Sequence, residues 1–136
     1  MDQDTTFAAM ADGEPAAGSV AVVGAAGFLG SALVRMVRAG GVPVATFTRR
    51  TPFLTRSGAP DDGLVTARTV FWLTSSINPA VAEAEPWRVQ EDCDTFVSML
   101  RALEQLANPP RIVLVSSGGT VYDPTCLLYT SDAADE

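Results

Sequence analysis

Three glycines, Gly24, Gly27 and Gly30, follow a short apolar run in the stretch SVAVVGAAGFLG from Ser19 to Gly30. This spacing constrains the fold more tightly than anything else in the chain. Val20 to Val23 is a continuous run of β-branched residues and alanine, the pattern of a strand buried on both faces of a parallel sheet. From Phe28 onward the periodicity changes: Leu29, Leu33, Met36 and Val37 recur at helical spacing, with Arg35 and Arg38 off that stripe. The glycines therefore stand at a strand-to-helix turn. There Gly24 permits the tight turn, and Gly27 lets a pyrophosphate approach the N–H groups and positive dipole end of the helix. Gly30 lets the helix pack close to the strand. A glycine trio alone is weak evidence, but strand, turn, helix and spacing agree, and together they point to dinucleotide binding. The other reading is a purely structural glycine turn.

The order G-x-x-G-x-x-G, with Phe28 and Leu29 before the last glycine, resembles the extended short-chain dehydrogenase/reductase superfamily. Within it the resemblance is to the NAD-dependent epimerase/dehydratase family, which acts largely on nucleotide sugars, and it runs over about residues 19 to 125. It places Gly24, Gly27, Phe28, Leu29 and Gly30 in a cofactor site. Alternating strands and helices predict an α/β fold, a Rossmann-like doubly wound parallel sheet truncated after its fifth strand. The expected strand order is 3-2-1-4-5, with the cofactor crossing the carboxyl ends at the switch between strands 1 and 4.

Beyond the first helix, Gly40-Gly41 supplies a stop, and Val42 to Phe47 reads as the second strand, with Pro43 tolerated near its start. An acidic residue at the end of this strand selects NAD, whereas arginine accommodates the 2′-phosphate of NADP. This chain has Thr48, Arg49 and Arg50. The guanidinium matches a phosphate in charge and fork geometry, which favours NADP, with NAD as the alternative. Solvated loop arginines are the structural reading. Residues 51 to 68 are punctuated by Pro52, Gly58, Pro60 and Gly63. The family fits two helices and a third strand there; this interval is too short for all three, so the third strand is expected to be rudimentary or missing.

Thr69 to Thr74 reads as a buried fourth strand, with Phe71 and Trp72 as core. By the resemblance the segment after it lies beside the cofactor, making Thr74 and Ser75 candidate contacts; the other reading is ordinary turn residues. Pro86 opens a long helix in which Val89, Cys93, Phe96, Val97, Leu100, Leu103 and Ala107 form the apolar stripe, so Cys93 is expected to be a buried small hydrophobe. Arg111 to Val115 is the fifth strand. The following Ser116-Ser117-Gly118-Gly119-Thr120-Val121-Tyr122 resembles the family's S-S-x-x-T-V-Y-G segment, in which a hydroxyl positions the sugar hydroxyl or carbonyl undergoing hydride transfer. Its usual position falls on Gly118, which leaves Ser117 and Thr120 as the candidate catalytic hydroxyls. Two positions depart from the family: Glu91 stands where asparagine is frequent, and Asp123 where glycine follows the tyrosine. Tyr122 belongs to this motif and is not the family's catalytic base.

Composition excludes several classes. With a net charge of −7 and no Lys/Arg cluster beyond Arg49-Arg50, nothing suggests nucleic acid. The apolar run from Val20 to Val34 is too short and glycine-broken for a membrane span, and the acidic residues before it do not make a signal peptide. A cytoplasmic location is the default expectation. Two cysteines and no histidine make neither a disulfide framework nor a metal site. Residues 1 to 18 read as a flexible leader. Residues 126 to 136, CLLYTSDAADE, match the translation of a transposase-type sequencing adapter and are read as a non-native tail. Without Asp132, Asp135 and Glu136 the charge goes from −7 to −4.

The superfamily moves its proton with a tyrosine whose pKa is lowered by a lysine four residues later, while the cofactor carries the redox chemistry. All nine basic residues here are arginine, so that pair is absent. The expectation is the N-terminal NAD(P)-binding part of a nucleotide-sugar epimerase, dehydratase or reductase whose intact parent takes a nucleotide-sugar or similar small-molecule substrate, with a homodimer as one candidate assembly that these residues leave open. This fragment by itself is expected to be inactive. The competing class is a non-catalytic NADP(H)-binding sensor or interaction module.

Overall fold

The computed structural model describes residues 18 to 75 and 77 to 115. Eight elements follow in order: β1 (Ser19–Val23), α1 (Phe28–Ala39), β2 (Val44–Phe47), α2 (Asp62–Val65), β3 (Ala67–Trp72), α3 (Pro79–Ala84), α4 (Pro86–Glu104) and β4 (Arg111–Leu114). The strands form one sheet in the order β2-β1-β3-β4, and every neighbouring pair is parallel. This α/β arrangement is compatible with a Rossmann-like fold. Among the described residues, no helix is long and apolar enough to cross a membrane.

Register and alternation sort the strand side chains onto two faces. Ala21 and Val23 of β1 lie level with Ala45 and Phe47 of β2, and with Val70 and Trp72 of β3. On this face α2 and α4 close the core, with Leu64 and Met99 fully buried and Leu103 nearly so. Phe53 meets Trp72 edge-on at 5.5 Å, and Phe96 lies 5.0 Å from Trp72 on the other side. Val22 points to the opposite face and is also fully buried. There α1 packs against β1 and β2 through its buried Gly30 and Val34. Both faces of β1 are thus covered, as its unbroken apolar run requires.

The sequence reading expects the third strand to be rudimentary or missing, and none of the four strands among the described residues takes its place. Residues 48 to 61 instead fold into a loop closed by an isolated antiparallel bridge between Leu54 and Pro60, which leads into the four-residue α2. Three other features differ from that reading. The strand read as Thr69 to Thr74 begins two residues earlier, because Ala67 pairs with Ser19 across a register shift, and it ends at Trp72. On α1, Leu29 and Met36 are exposed, and the buried phase runs through Gly30 and Val34. Cys93 is exposed, not buried. The buried stripe of α4 is carried by Met99 and Leu103 with Phe96 and Leu100 beside them, and Ala107 lies beyond the helix end.

Candidate functional site

The order β2-β1-β3-β4 makes the chain leave β1 toward one side for β2 and resume on the other side with β3. At such a switch the loops beyond the carboxyl ends diverge and open a crevice. Here that crevice is a cleft of about 720 Å³, lined by Gly24 and Gly27 after β1, Arg49 and Arg50 after β2, and Thr74 and Ser75 after β3. Six of the residues singled out in the sequence therefore meet in one place, although the first and last are 51 positions apart in the chain.

Each glycine of the turn has its own geometry. Gly24 has φ +91°, and a Cβ there would stand 2.8 Å from the Leu73 carbonyl oxygen, so it is required both by conformation and by the approach of β3. The turn is tied down by the N–H groups of Gly24 and Ala25, both donating to the Phe47 carbonyl, and by the Leu73 N–H donating to the Val23 carbonyl. Gly30 faces back into the turn, where a Cβ would overlap the Gly24 carbonyl oxygen. Gly27 is different. Its φ of −73° and ψ of 172° suit any residue, and an added Cβ would meet only the Gly24 oxygen at 3.4 Å.

Gly27 is also the N-cap of α1 and supplies no side chain to the helix. The first N–H groups of a helix have no acceptor within it. The first turn of α1 carries no acidic residue, and Arg38 stands in the last turn. An anion placed at this end is favoured by both the dipole and the open donors. Phe28, 91% exposed, and Leu29 do not line this cleft; of the turn, Gly24, Ala26 and Gly27 do.

The arginines are held by a small hydroxyl network. Thr48 Oγ1 accepts from the N–H groups of Arg50 at 3.2 Å and Thr51 at 3.3 Å, and lies 3.0 Å from Thr51 Oγ1. The Thr48 N–H donates to the Thr51 carbonyl at 3.0 Å and to Thr51 Oγ1 at 3.1 Å. This turn fixes the backbone of Arg49 and Arg50 while both side chains stay exposed. Neither forms an ion pair with a described residue. Arg49 lines only the glycine cleft, whereas Arg50 also borders the neighbouring hollow beside Thr55 and Asp61.

Comparison with protein-family models, curated proteins and solved structures finds no match. The reading of the site therefore rests on its own chemistry.

A second cleft of about 720 Å³ lies at the amino-terminal edge of the sheet, beside Thr66, Arg68, Pro109 and Arg111. None of its lining residues opens a helix, and the glycine turn lies at the far end of the strands. A smaller cleft of about 330 Å³ opens between β3 and β4 and shares Leu73, Thr74 and Ser75 with the glycine cleft. Ser117 and Thr120 lie outside the described residues. Sequence reading missed two contributors. Thr48 was a neighbour of the arginines without a role, although Thr-x-x-Thr after a strand is a recognisable hydroxyl turn. Asp92 gave no signal, because only the fold brings it to Ser75, whose Oγ donates to Asp92 Oδ2 at 2.8 Å.

Proposed function

We propose that this chain binds a nicotinamide dinucleotide carrying a 2′-phosphate, NADP, across the carboxyl ends of β1, β2 and β3. The observation that carries the reading is Gly27. The fold demands glycine at Gly24 and Gly30 but leaves Gly27 ordinary torsions and room for a methyl group. Its glycine is explained by what must come close from outside, an anion seated on the first N–H groups of α1.

The residues present fit the group: at Gly27, which opens α1 with no side-chain cap, an added Cβ would meet only the Gly24 oxygen, and the cleft ends in Arg49 and Arg50, neither ion-paired with a described residue. Gly27 and the start of α1 hold the pyrophosphate. Arg49, with Arg50 beside it, takes the 2′-phosphate through charge-assisted bonds. Thr74 and Ser75 border the path toward β3. When bound, the cofactor supplies hydride transfer. What these residues do is bind and orient it; the chain contains no lysine to complete a Tyr-x-x-x-Lys pair.

By its resemblance to the epimerase/dehydratase family, we infer that this binding unit serves a nucleotide-sugar oxidoreductase or isomerase. Calorimetric titration with NADPH, NADH and ATP tests the reading. NADPH is expected to bind tightest, NADH at least tenfold more weakly for want of the phosphate, and ATP weakest. A preference for ATP would place the chain among nucleotide-phosphate binders unrelated to nicotinamide.

A further inference from the structure

The two clefts at the carboxyl edge of the sheet are electrically unlike. The glycine cleft ends in Arg49 and Arg50. The smaller cleft has largely apolar walls, among them Trp72, Ile77, Val89, Phe96 and Leu114, and among the described residues its only charged lining residue is Asp92. Ser75 belongs to both clefts and ties their junction to this carboxylate: its Oγ donates to Asp92 Oδ2 at 2.8 Å and accepts from the Ile77 N–H at 3.2 Å. The Ser75 hydrogen is thus committed, and the carboxylate is held in place on an apolar wall.

The orientation of a bound dinucleotide follows from charge and connectivity, on the proposed reading that the chain binds NADP. The 2′-phosphate end lies at the arginines beyond β2, and the pyrophosphate lies at Gly27 beyond β1. The remaining half of the molecule must continue away from β2, past Thr74 and Ser75, into the cleft between β3 and β4. That half carries the nicotinamide ring, which is a flat pyridinium cation in NADP+ and neutral in NADPH. All other parts of the two forms are the same and cancel in a comparison.

We propose that Asp92 makes this site select the oxidised form of the cofactor, its carboxylate stabilising the pyridinium ring within the apolar cleft between β3 and β4. Asp92 is half-buried beside apolar side chains, where charges interact more strongly than in open water, and a discrimination of about tenfold is expected. Asp92 is then a specificity-determining residue for redox state, as Arg49 is for the phosphate.

The test is calorimetric titration of the 136-residue chain with NADP+ and with NADPH, for the parent sequence, Asp92→Asn and Ser75→Ala. The parent is expected to bind NADP+ about tenfold more tightly than NADPH. Asp92→Asn keeps the shape and a hydrogen-bond acceptor for Ser75 but removes the charge. It should bring the two affinities together by weakening NADP+ alone. Ser75→Ala retains the carboxylate and should retain the sign of the preference. An unchanged ratio in Asp92→Asn, or an equal loss for both forms, overturns the charge assignment while leaving dinucleotide binding intact. Binding of neither form by the parent overturns the NADP reading itself, and this proposal with it.

Discussion

A single added methyl group distinguishes the three glycines of the turn. At Gly30 it would overlap the Gly24 carbonyl, which is backbone and cannot swing aside. Gly30→Ala should therefore destabilise the protein by about 1–3 kcal/mol, the usual cost of overpacking, as read from chemical denaturation. Gly27→Ser should do the opposite to each property. The torsions already suit an N-cap serine, whose oxygen would accept from the open N–H groups of α1. Stability should stay within about 0.5 kcal/mol or rise, while NADP affinity falls at least tenfold, because the new side chain occupies the donors and the approach. Loss of both together would mean that Gly27 serves the fold alone. At the other end of the cleft, Arg49→Asp should reverse the NADPH/NADH preference, since it removes the guanidinium and repels a phosphate; an unmoved ratio would make Arg49 a bystander. The placement of Gly24, Gly27 and Arg49 at the carboxyl ends of β1 and β2 was legible in the sequence because it depends on local spacing. Asp92 was not, because its partner Ser75 lies 17 residues away and meets it only when α4 packs back onto β3.

The elements were legible in kind and less so in phase. Every strand expected outside residues 51 to 68 is present, since β-branched runs such as Val20 to Val23 and Arg111 to Leu114 have no stable place outside a sheet. The missing third strand follows from the turn residues between Pro52 and Gly63, which leave no apolar run long enough to pair. Helix α4 shows where periodicity alone misleads. Cys93 has the right spacing from Phe96, but it lies among the residues lining the cleft at the carboxyl ends of β3 and β4, where no strand covers it. The core contact falls one to three turns later, at Met99 and Leu103. Met99→Ala should thus cost about 2–5 kcal/mol, and the exposed Val97→Ala well under that. In a Cys126→Ser background, Cys93 should react with an aromatic disulfide reagent in the native protein. NADP should slow that reaction, because Cys93 lines the cleft into which the nicotinamide half extends. Reaction only after denaturation would restore the buried assignment.

The described residues form a four-stranded parallel sheet with a small core, and the candidate cleft lies where the order of strand addition reverses, between β1 and β3. The same geometry makes ligand and stability inseparable. The segments after β1, β2 and β3 line the cleft, and a dinucleotide bound there would bridge all three. A ligand that binds only the folded state adds about 2.7 kcal/mol at a hundredfold excess over its Kd. For a domain of this size each kcal/mol moves the melting temperature by roughly 4–8 °C. NADP at that excess should therefore raise Tm by about 10–20 °C in a thermal melt. Arg49→Asp compared at the same NADP concentration should lose part of the shift in proportion to its weakened affinity, while its ligand-free Tm remains that of the parent, since Arg49 contacts solvent and not the core. A lowered ligand-free Tm would instead show that the Thr48 turn depends on the arginine, and that loop architecture, not phosphate recognition, fixes the residue at this position. If Tm of the parent is insensitive to NADP at concentrations well above those needed in calorimetry, the bound ligand is not bridging the three loops, and the cleft at the β1/β3 switch is not its site.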